Sequence, residues 1–503
     1  MGIVIRQSVK SSIVTLTGAL FAVLTQYLYT KKLLAEEVGS ISFILRLGAV
    51  LQFLLLMGAA QVLFSYIAKT TDDQRRKNLI GLCMAVPLAT LLILLGPFVI
   101  FRAEIIQWFR PQDRAFIAEF YYYIPPFALF WSYITLLEAY LWWQIKVAMV
   151  AFFKEIVLRA LILVTFAFLW FNLVDFNQFI IFLIFIHLIL AASLFVLSAR
   201  TNEFGIATNW KIFKREDCID MGRFGWYHLL SGISMYILGY LDTFLLGLWA
   251  GMQALGPYSV AILIVSFMVI PYRVMANASM PVINQALIDK DMMKLKDLFH
   301  RSGINILIMA VGMFILIGCN LHNAVAVLDK EYASVGALSL IIMVGRLIDM
   351  GTGVNSELIG LSDLYKFNFR SSIVLLVLLL VFYYFLVPQY GAIGAAWGST
   401  LSLVFFNLLK LIYLWKKMSL HPFSNKSAIV LISGAIAGGI GYFIPQISPS
   451  NAANGTEFVL VGADVAFRSL IVAGVYSALL LYFKPSPDLN QYLKSVRENR
   501  RLF

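Results

Sequence analysis

An all-helical protein that crosses a membrane many times is the fold class this sequence predicts, and three observations predict it. Of 503 residues, 61% are hydrophobic and only 13% are charged, about half the charged fraction of an ordinary soluble domain. The mean hydropathy is +0.84. The charges cluster between apolar runs, and many runs exceed the roughly 20 residues an α-helix needs to cross hydrocarbon. A water-soluble globular fold is excluded, because no single core could hide that much apolar surface.

Bounding the apolar runs by charge, proline and glycine predicts about fourteen transmembrane helices. The first six fall near 11–34, 38–64, 79–101, 117–142, 147–172 and 176–199. The next six fall near 222–249, 256–283, 303–327, 332–361, 366–387 and 391–415, and a last pair near 427–445 and 464–483. The expected organisation is a six-helix bundle over 1–199, a cytoplasmic linker over 200–221, and a second six-helix bundle over 222–415. The extra helix pair occupies 416–483 and a cytoplasmic amphipathic tail 484–503. The first run is too long for the apolar part of a signal peptide. It is followed by Lys31 and Lys32 with no small-residue cleavage site, and so reads as the first helix.

Basic residues resist translocation, so their distribution sets orientation. With the amino terminus inside, 27 Lys and Arg residues fall on inner segments and 6 on outer loops. Both termini are therefore expected in the cytoplasm. The formal charge of +12 is spread over short loops beside membrane helices, which speaks of orientation and not of nucleic acid. Cys83, Cys218 and Cys319 have no partner spacing, so neither a disulfide framework nor a metal knuckle is indicated. No phosphate-binding loop, zinc-protease motif or nucleophile elbow is present. A membrane protein that is not an enzyme is expected. The longest outer loop, about Gln446 to Ala463, is polar, and its Asn454-Gly455-Thr456 sequon reads as chance.

Two inner segments read as interfacial amphipathic helices drawn to anionic lipid. In Ala286 to His300, Leu287, Met292, Leu295, Leu298 and Phe299 alternate with Lys and Asp. In the tail, Leu489, Leu493 and Val496 oppose Lys494, Arg497, Arg500 and Arg501, with Ser486-Pro487 fitting an N-cap followed by proline at the first helical position. The bland reading of both is a surface-resting connector.

The chain also reads as two similar halves. Leu34-Ala35-Glu36-Glu37-Val38-Gly39-Ser40-Ile41 is echoed by Met252-Gln253-Ala254-Leu255-Gly256-Pro257-Tyr258-Ser259, each expected to place a tight glycine turn at the outer surface. Six helices per half give a pseudo-two-fold repeat about an axis along the membrane normal. With these segments, Asp242-Thr243-Phe244-Leu245-Leu246-Gly247 and above all Tyr390-Gly391-Ala392-Ile393-Gly394-Ala395-Ala396 opening helix 12, the sequence resembles the Wzx-type polysaccharide flippases of the MATE-like exporter superfamily. The resemblance spans nearly the whole chain, and fourteen helices fit that branch better than the twelve usual in multidrug exporters. Trp226 departs from it, standing where many relatives have proline after the glycine that opens helix 7. The resemblance implies movement of an undecaprenyl-pyrophosphate-linked oligosaccharide from the inner to the outer leaflet of a bacterial inner membrane.

Charges inside hydrocarbon cost at least ~2.5 to 3.5 kcal/mol each on insertion scales, so each one needs a wet cavity or a partner. Four deep cations, Arg46, Arg159, Arg273 and Arg346, stand against two deep anions, Asp242 and Asp349. An excess of positive charge suits an anionic substrate such as a pyrophosphate, to which Arg offers a planar fork of donors. The alternative is local neutralisation: Glu155 and Arg159 are i, i+4, and Arg346 and Asp349 are i, i+3. Arg46 and Arg273 lack such a neighbour. Pro271 and Pro281 bracket Arg273, with Asn277 and Ser279 between them. The helix is expected to lose backbone hydrogen bonds there, either at a transport site or at a packing kink. Glu138, Glu155, Glu357 and Lys410 lie nearer the inner ends, where snorkelling is easy.

Coupling needs a group that changes charge or binds a cation. Asp242 is the first candidate, because the resemblance implies an acid there, with Asp349 and Glu138 behind it. Pairing with an arginine is the alternative for Asp242. His187 is weighed as a proton relay or, more often for a lone histidine in a bundle, a packing residue. Trp108, Tyr121-Tyr122-Tyr123, Trp142-Trp143 and Trp415 read chiefly as interfacial belt residues, with sugar stacking the rival for some. The expected function is alternating-access flipping of a lipid-linked oligosaccharide through a V-shaped cationic cavity between two bundles. No cofactor is expected beyond a coupling proton or sodium ion. Membrane lipid and glycan-assembly enzymes are the expected partners, and no nucleic acid. The alternative is a cation-coupled exporter of drugs or metabolites.

Overall fold

The computed structural model describes residues 2–362, 364–445 and 456–491, and every regular element in it is helical. The tail beyond 491 and most of the expected polar outer loop, 446–455, lie outside the described residues. Helices are the natural solution in lipid, because each closes its own backbone hydrogen bonds where no water is available. Among the described residues, ten helices are long and apolar enough to cross a membrane. The expected fourteen are reorganised by breaks and mergers that the apolar pattern does not signal.

In chain order the helices begin with α1 (Gly2–Lys32), α2 (Ala35–Leu56), α3 (Ala59–Ile67), α4 (Asp73–Ile100), α5 (Arg102–Gln107) and α6 (Arg114–Phe120). There follow α7 (Ile124–Trp143), α8 (Val147–Ala151), α9 (Leu158–Trp170), α10 (Phe176–Ala199), α11 (Arg215–Ala250) and α12 (Met252–Ile288). The rest are α13 (Met292–Ala326), α14 (Val335–Gly351), α15 (Asn355–Leu361), α16 (Tyr365–Met418), α17 (Asn425–Phe443) and α18 (Thr456–Phe483). Backbone contacts divide the chain into two compact units, Met1–Gly256 and Pro257–Phe503.

Four expected single helices are interrupted, the run at 117–142 by a 3-10 turn at Tyr121–Tyr123 between α6 and α7. The run at 38–64 breaks at Met57 and Gly58, both with positive φ, where a side chain on Gly58 would collide with the Gly225 backbone of α11. The run at 332–361 breaks at Thr352–Val354 around Gly353, at φ +70°, which faces the Cα of Gly303 at 3.2 Å from where a Cβ would sit. The run at 147–172 passes through a π-helical turn at Phe152–Val157. Conversely, the expected helices at 366–387 and 391–415 appear as one run, α16, folded at Gly391 (φ +54°, ψ −129°). That conformation favours glycine. A Cβ on Gly394 would clash with the Leu386 carbonyl, and Tyr383 Oη lies 2.8 Å from Ser399 Oγ. The arms of this hairpin are thus too close for side chains at the contact, which explains the glycine-alanine motif.

Other expectations change in detail. The proposed amphipathic helix over 286–300 is instead the end of α12, a turn at Lys290 (φ 54°) and the start of α13. Leu295 and Phe299 are buried while Met292 and Met293 are exposed. α12 continues unbroken through Pro257, Pro271 and Pro281, so no helix break exposes Arg273. Helix α11 is likewise continuous past Trp226. Ser486 does cap the chain that follows: its hydroxyl accepts the Leu489 N–H at 3.1 Å and donates to Asn305 Oδ1 at 2.6 Å.

The repeated segments do not form turns. Gly39 and Gly256 both sit in the first turns of helices, and they interlock reciprocally. A side chain on Gly39 would strike the Met252 carbonyl, and one on Gly256 would strike the Ala35 carbonyl. Both α2 and α12 thereby approach at backbone distance. Asp113 Oδ1 accepts the Met252 N–H at 3.4 Å, supplying an anion at the start of α12.

The first unit has its core around Leu63, Ile80, Leu136, Tyr140 and Leu194. His187 is buried there, its Nδ1–H donating to the Leu183 carbonyl at 2.7 Å and its ring edge-on to Phe127. In the second unit, Val311, Val430, Ala437 and Val472 join α13, α17 and α18. Beside that cluster lies a buried ion pair, Arg468 with Asp464, exposed by only 1% and 0%. Arg468 Nη1 donates to the Gly441 and Ile444 carbonyls at 2.6 and 3.0 Å, and Nη2 to that of Pro445 at 3.3 Å. Asn323 Nδ2 donates to Asp464 Oδ2 at 2.6 Å. The guanidinium therefore satisfies carbonyls at the end of α17 that would otherwise be stranded.

Two outcomes are expected from these contacts. Gly256→Val should cost at least about 1–3 kcal/mol through overpacking, read as a lower apparent Tm in detergent. Gly96→Val, whose side chain would meet open space, should melt like wild type. Arg468→Met should cost about 3–5 kcal/mol because it takes the guanidinium away from the buried Asp464 carboxylate, and adding Asp464→Leu should recover much of that loss. Equal melting of Arg468→Met and wild type would show the pair to be dispensable.

Candidate functional site

The four intramembrane arginines separate into two kinds. Arg159 Nη2 pairs with Glu155 Oε2 at 3.0 Å, and its Nε reaches the same oxygen at 3.2 Å. Arg346 Nη1 lies 3.6 Å from Asp349 Oδ2. Both pairs form at the helical spacings that their sequence positions allow. Arg46 and Arg273 have no hydrogen-bond or ion-pair partner among the described residues. Arg46 is half-buried and Arg273 is exposed.

Arg46 of α2 is among the residues around a cavity of about 240 Å³ in the first unit, whose lining is almost wholly apolar and includes Phe43, Leu47 and Val50. From α11 come Tyr240, Leu241, Thr243 and Phe244. The elements meet closely because Phe43 packs over Gly247 and stacks on Phe244 at 6.1 Å. Asp242, half-buried beside these residues, accepts the Thr243 N–H at 2.6 Å and its hydroxyl at 3.2 Å through Oδ1. A guanidinium without an acidic partner attracts an anion more strongly in apolar surroundings than in water.

The other expected coupling acids already have partners. Glu138 Oε2 receives Lys154 Nζ at 2.7 Å. Lys154 and Glu155 both sit on the π-helical turn, so that irregularity carries two ion pairs. Asp349 accepts Asn407 Nδ2 at 2.9 Å in addition to facing Arg346.

A polar network in the second unit was not anticipated. Lys410, expected to snorkel, is 2% exposed. Its Nζ donates to Ser356 Oγ at 2.6 Å and lies 3.8 Å from the Phe406 ring centre. Glu357, also expected to snorkel, is half-buried: Tyr272 donates to its Oε1 at 3.1 Å, while Oε2 is buried without a hydrogen-bond partner among the described residues. Thr352, Asn355 and Asn407 complete the network with side-chain hydrogen bonds of 2.8 to 3.2 Å. The signal for it was the polar run Thr352-Gly353-Val354-Asn355-Ser356-Glu357 inside an apolar stretch. The second unit also holds an apolar cavity of about 590 Å³ among α13, α14 and α17, bounded by residues such as Phe314, Leu340, Leu431 and Tyr442.

Apolar helices folded in this way, with charges retained inside them, define an all-helical multi-pass membrane protein. The family described as polysaccharide biosynthesis protein matches residues 4–287, more than half of the chain, and the protein belongs to that family. Among solved structures, the fold is similar to the lipid II flippase MurJ in an inward closed conformation. The TM-score is 0.73 at 13% identity, covering 94% of this chain and 98% of that one. It is also similar to an inward-facing multidrug resistance MATE family transporter of the MOP superfamily (TM-score 0.63, 14% identity, 80% and 94% covered). A MOP superfamily transporter from Pyrococcus furiosus gives a TM-score of 0.54 at 14% identity, with 83% and 95% covered. At these identities the likeness is one of fold. The search of curated proteins returned no match.

Proposed function

We propose that the protein is a flippase that moves an undecaprenyl-pyrophosphate-linked oligosaccharide from the inner to the outer leaflet of a bacterial inner membrane. Membership of a polysaccharide biosynthesis family supports the substrate class, and the transporter fold supports the mode of action. The observation that carries the reading is Arg46, a half-buried cation with no ion-pair partner among the described residues, beside a cavity lined almost wholly by apolar atoms. Such a group is costly in hydrocarbon unless it meets an anion. Arg273 is the second anion contact in this proposal. Arg159 and Arg346, already faced by carboxylates, hold the substrate only if those pairs open.

The excess of basic residues on alternate loops supports placing both termini in the cytoplasm. Transport would proceed by alternating access, coupled to a proton or sodium ion, with Asp242 the first coupling candidate because it adjoins the Arg46 cavity. Asp349 and Glu138 follow, each needing to leave a partner before it can exchange a cation. Glycan-assembly enzymes would deliver and receive the substrate. A cation-coupled exporter of drugs or metabolites is the second reading, favoured by the fold shared with a MATE transporter. It calls for an acid where this cavity presents a guanidinium.

Purified protein in liposomes should move a labelled lipid-linked oligosaccharide unaided. Arg46→Gln should lower that rate about 10- to 100-fold, the loss of one charge-assisted hydrogen-bonding partner, with membrane insertion unchanged. Arg159→Gln combined with Glu155→Gln should have a much smaller effect. Wild-type flipping by Arg46→Gln would refute the anion role, and an altered drug-resistance profile with normal surface glycan in a deletion strain would favour the exporter.

A further inference from the structure

Two histidines of the second unit meet outside its polar network. His300 lies near the start of α13, and His421 lies on the connection between α16 and α17. Their ring centres are 5.4 Å apart, with the planes inclined at 73°. His300 Nδ1 lies 2.9 Å from the Lys296 carbonyl, and His421 Nδ1 lies 2.9 Å from that of Phe423. A carbonyl oxygen only accepts, so each Nδ1 carries the proton and each neutral ring keeps a lone pair on Nε2. Neither Nε2 has a hydrogen-bond or ion-pair partner among the described residues. His421 is exposed and His300 half-buried, so solvent ions have access to the pair. Arg301, the residue after His300, is held by Asp297 at 2.8 Å and by Asp488 at 3.4 Å, which offsets the nearest guanidinium in sequence.

We propose that His300 and His421 together bind a transition-metal ion of the zinc class through their two Nε2 atoms. Imidazole suits zinc, copper and nickel. A ligating histidine characteristically donates its other ring N–H to a carbonyl or carboxylate, which fixes the tautomer and the ring orientation. Both rings already make that bond. Their separation agrees as well: an ion about 2.1 Å from each nitrogen, with a tetrahedral angle between them, sets the two ring centres roughly 5.3 Å apart. Among the described residues no His, Cys, Asp or Glu completes a cluster of three, so water fills the remaining positions and the ion is exchangeable. Pro422, next to His421, packs over Gly303 of α13 and Gly353 at the break between α14 and α15. A bound ion therefore ties the α16–α17 connection to α13 beside that break. The basic-residue distribution puts these segments on the inner side, so the ion comes from the cytoplasm.

The test titrates the full-length protein, freed of any affinity tag, with Zn2+ in phosphatidylcholine nanodiscs and reads binding by calorimetry. His300→Gln and His421→Gln should each weaken binding at least about tenfold, no less than the loss of an outer-shell partner costs. His228→Gln, which changes an exposed histidine of α11 outside the pair, should bind Zn2+ like wild type. Mg2+, which prefers oxygen ligands, should not compete. Zn2+ should also raise the apparent Tm of wild type and leave that of His421→Gln unmoved, since only the folded pair holds the ion. Unchanged Zn2+ affinity in both single variants overturns the proposal, and so does an equal loss in His228→Gln. Diethyl pyrocarbonate, which acylates a free imidazole nitrogen, gives a reading on wild type that needs no variant to fold. Peptides carrying His300 and His421 should both be modified without metal and both be protected by Zn2+. Protection of only one, or of neither, overturns the site.

Discussion

Hydrocarbon offers no solvent to an ion, and this constraint orders the polar groups of the protein more strictly than any packing rule. Arg468 satisfies it through both terminal nitrogens, with one carboxylate and three carbonyls around a guanidinium that is 1% exposed. Arg159 and Arg346 satisfy it locally, each with an acid less than one helical turn away or just beyond it. Lys410 satisfies it with a hydroxyl and an aromatic face, without a carboxylate in direct contact among the described residues. Against that background Arg46 stands out. A protein that neutralises its other buried cations with care has left this one on a cavity wall with only apolar groups, a tyrosine and a threonine for company.

The second constraint follows from the same medium. Between helices in lipid no hydrophobic effect is available, so association depends on close contact of backbones and on the small residues that permit it. The reciprocal approach of Gly39 to Met252 and of Gly256 to Ala35 is one such contact. Gly58 against Gly225, and Gly353 against Gly303, are two more. Each of the latter pairs has a positive-φ glycine at a helix break facing a second glycine on a neighbouring helix. The breaks are therefore not loose points: the chain can turn there only because the opposing helix also lacks a side chain.

These contacts explain where the sequence was legible and where it was not. Hydropathy and charge carried the fold class, because the bilayer imposes length and polarity on every spanning segment. The pairings Glu155–Arg159 and Arg346–Asp349 were legible because their partners are three or four residues apart on one helix. The lack of a local partner for Arg46 was legible for the same reason. The interruptions at 57–58 and 352–354 were not, since apolar residues continue on both sides of each break. The glycine turns read into the repeated segments were wrong because glycine serves equally for a positive φ and for close approach, and only the opposing carbonyl distinguishes the two. Lys410 was misjudged for a related reason. A lysine near a helix end snorkels when the end reaches water, but here α14 and α15 cover it, and Ser356 gives its ammonium a partner inside.

The arrangement around Arg46 also bears on how one chain could hold an amphiphile and still release it. A permanently paired cation would not bind a phosphate, and an isolated one deep in lipid would bind it too well to let go. Asp242 lies beside Thr243 on α11, next in sequence to residues of that wall, and its Oδ1 is engaged by the Thr243 N–H and hydroxyl. In the flippase proposed above, a cation exchanged at Asp242 would alter the charge near Arg46 and with it the hold on the phosphate, so coupling would need no remote relay.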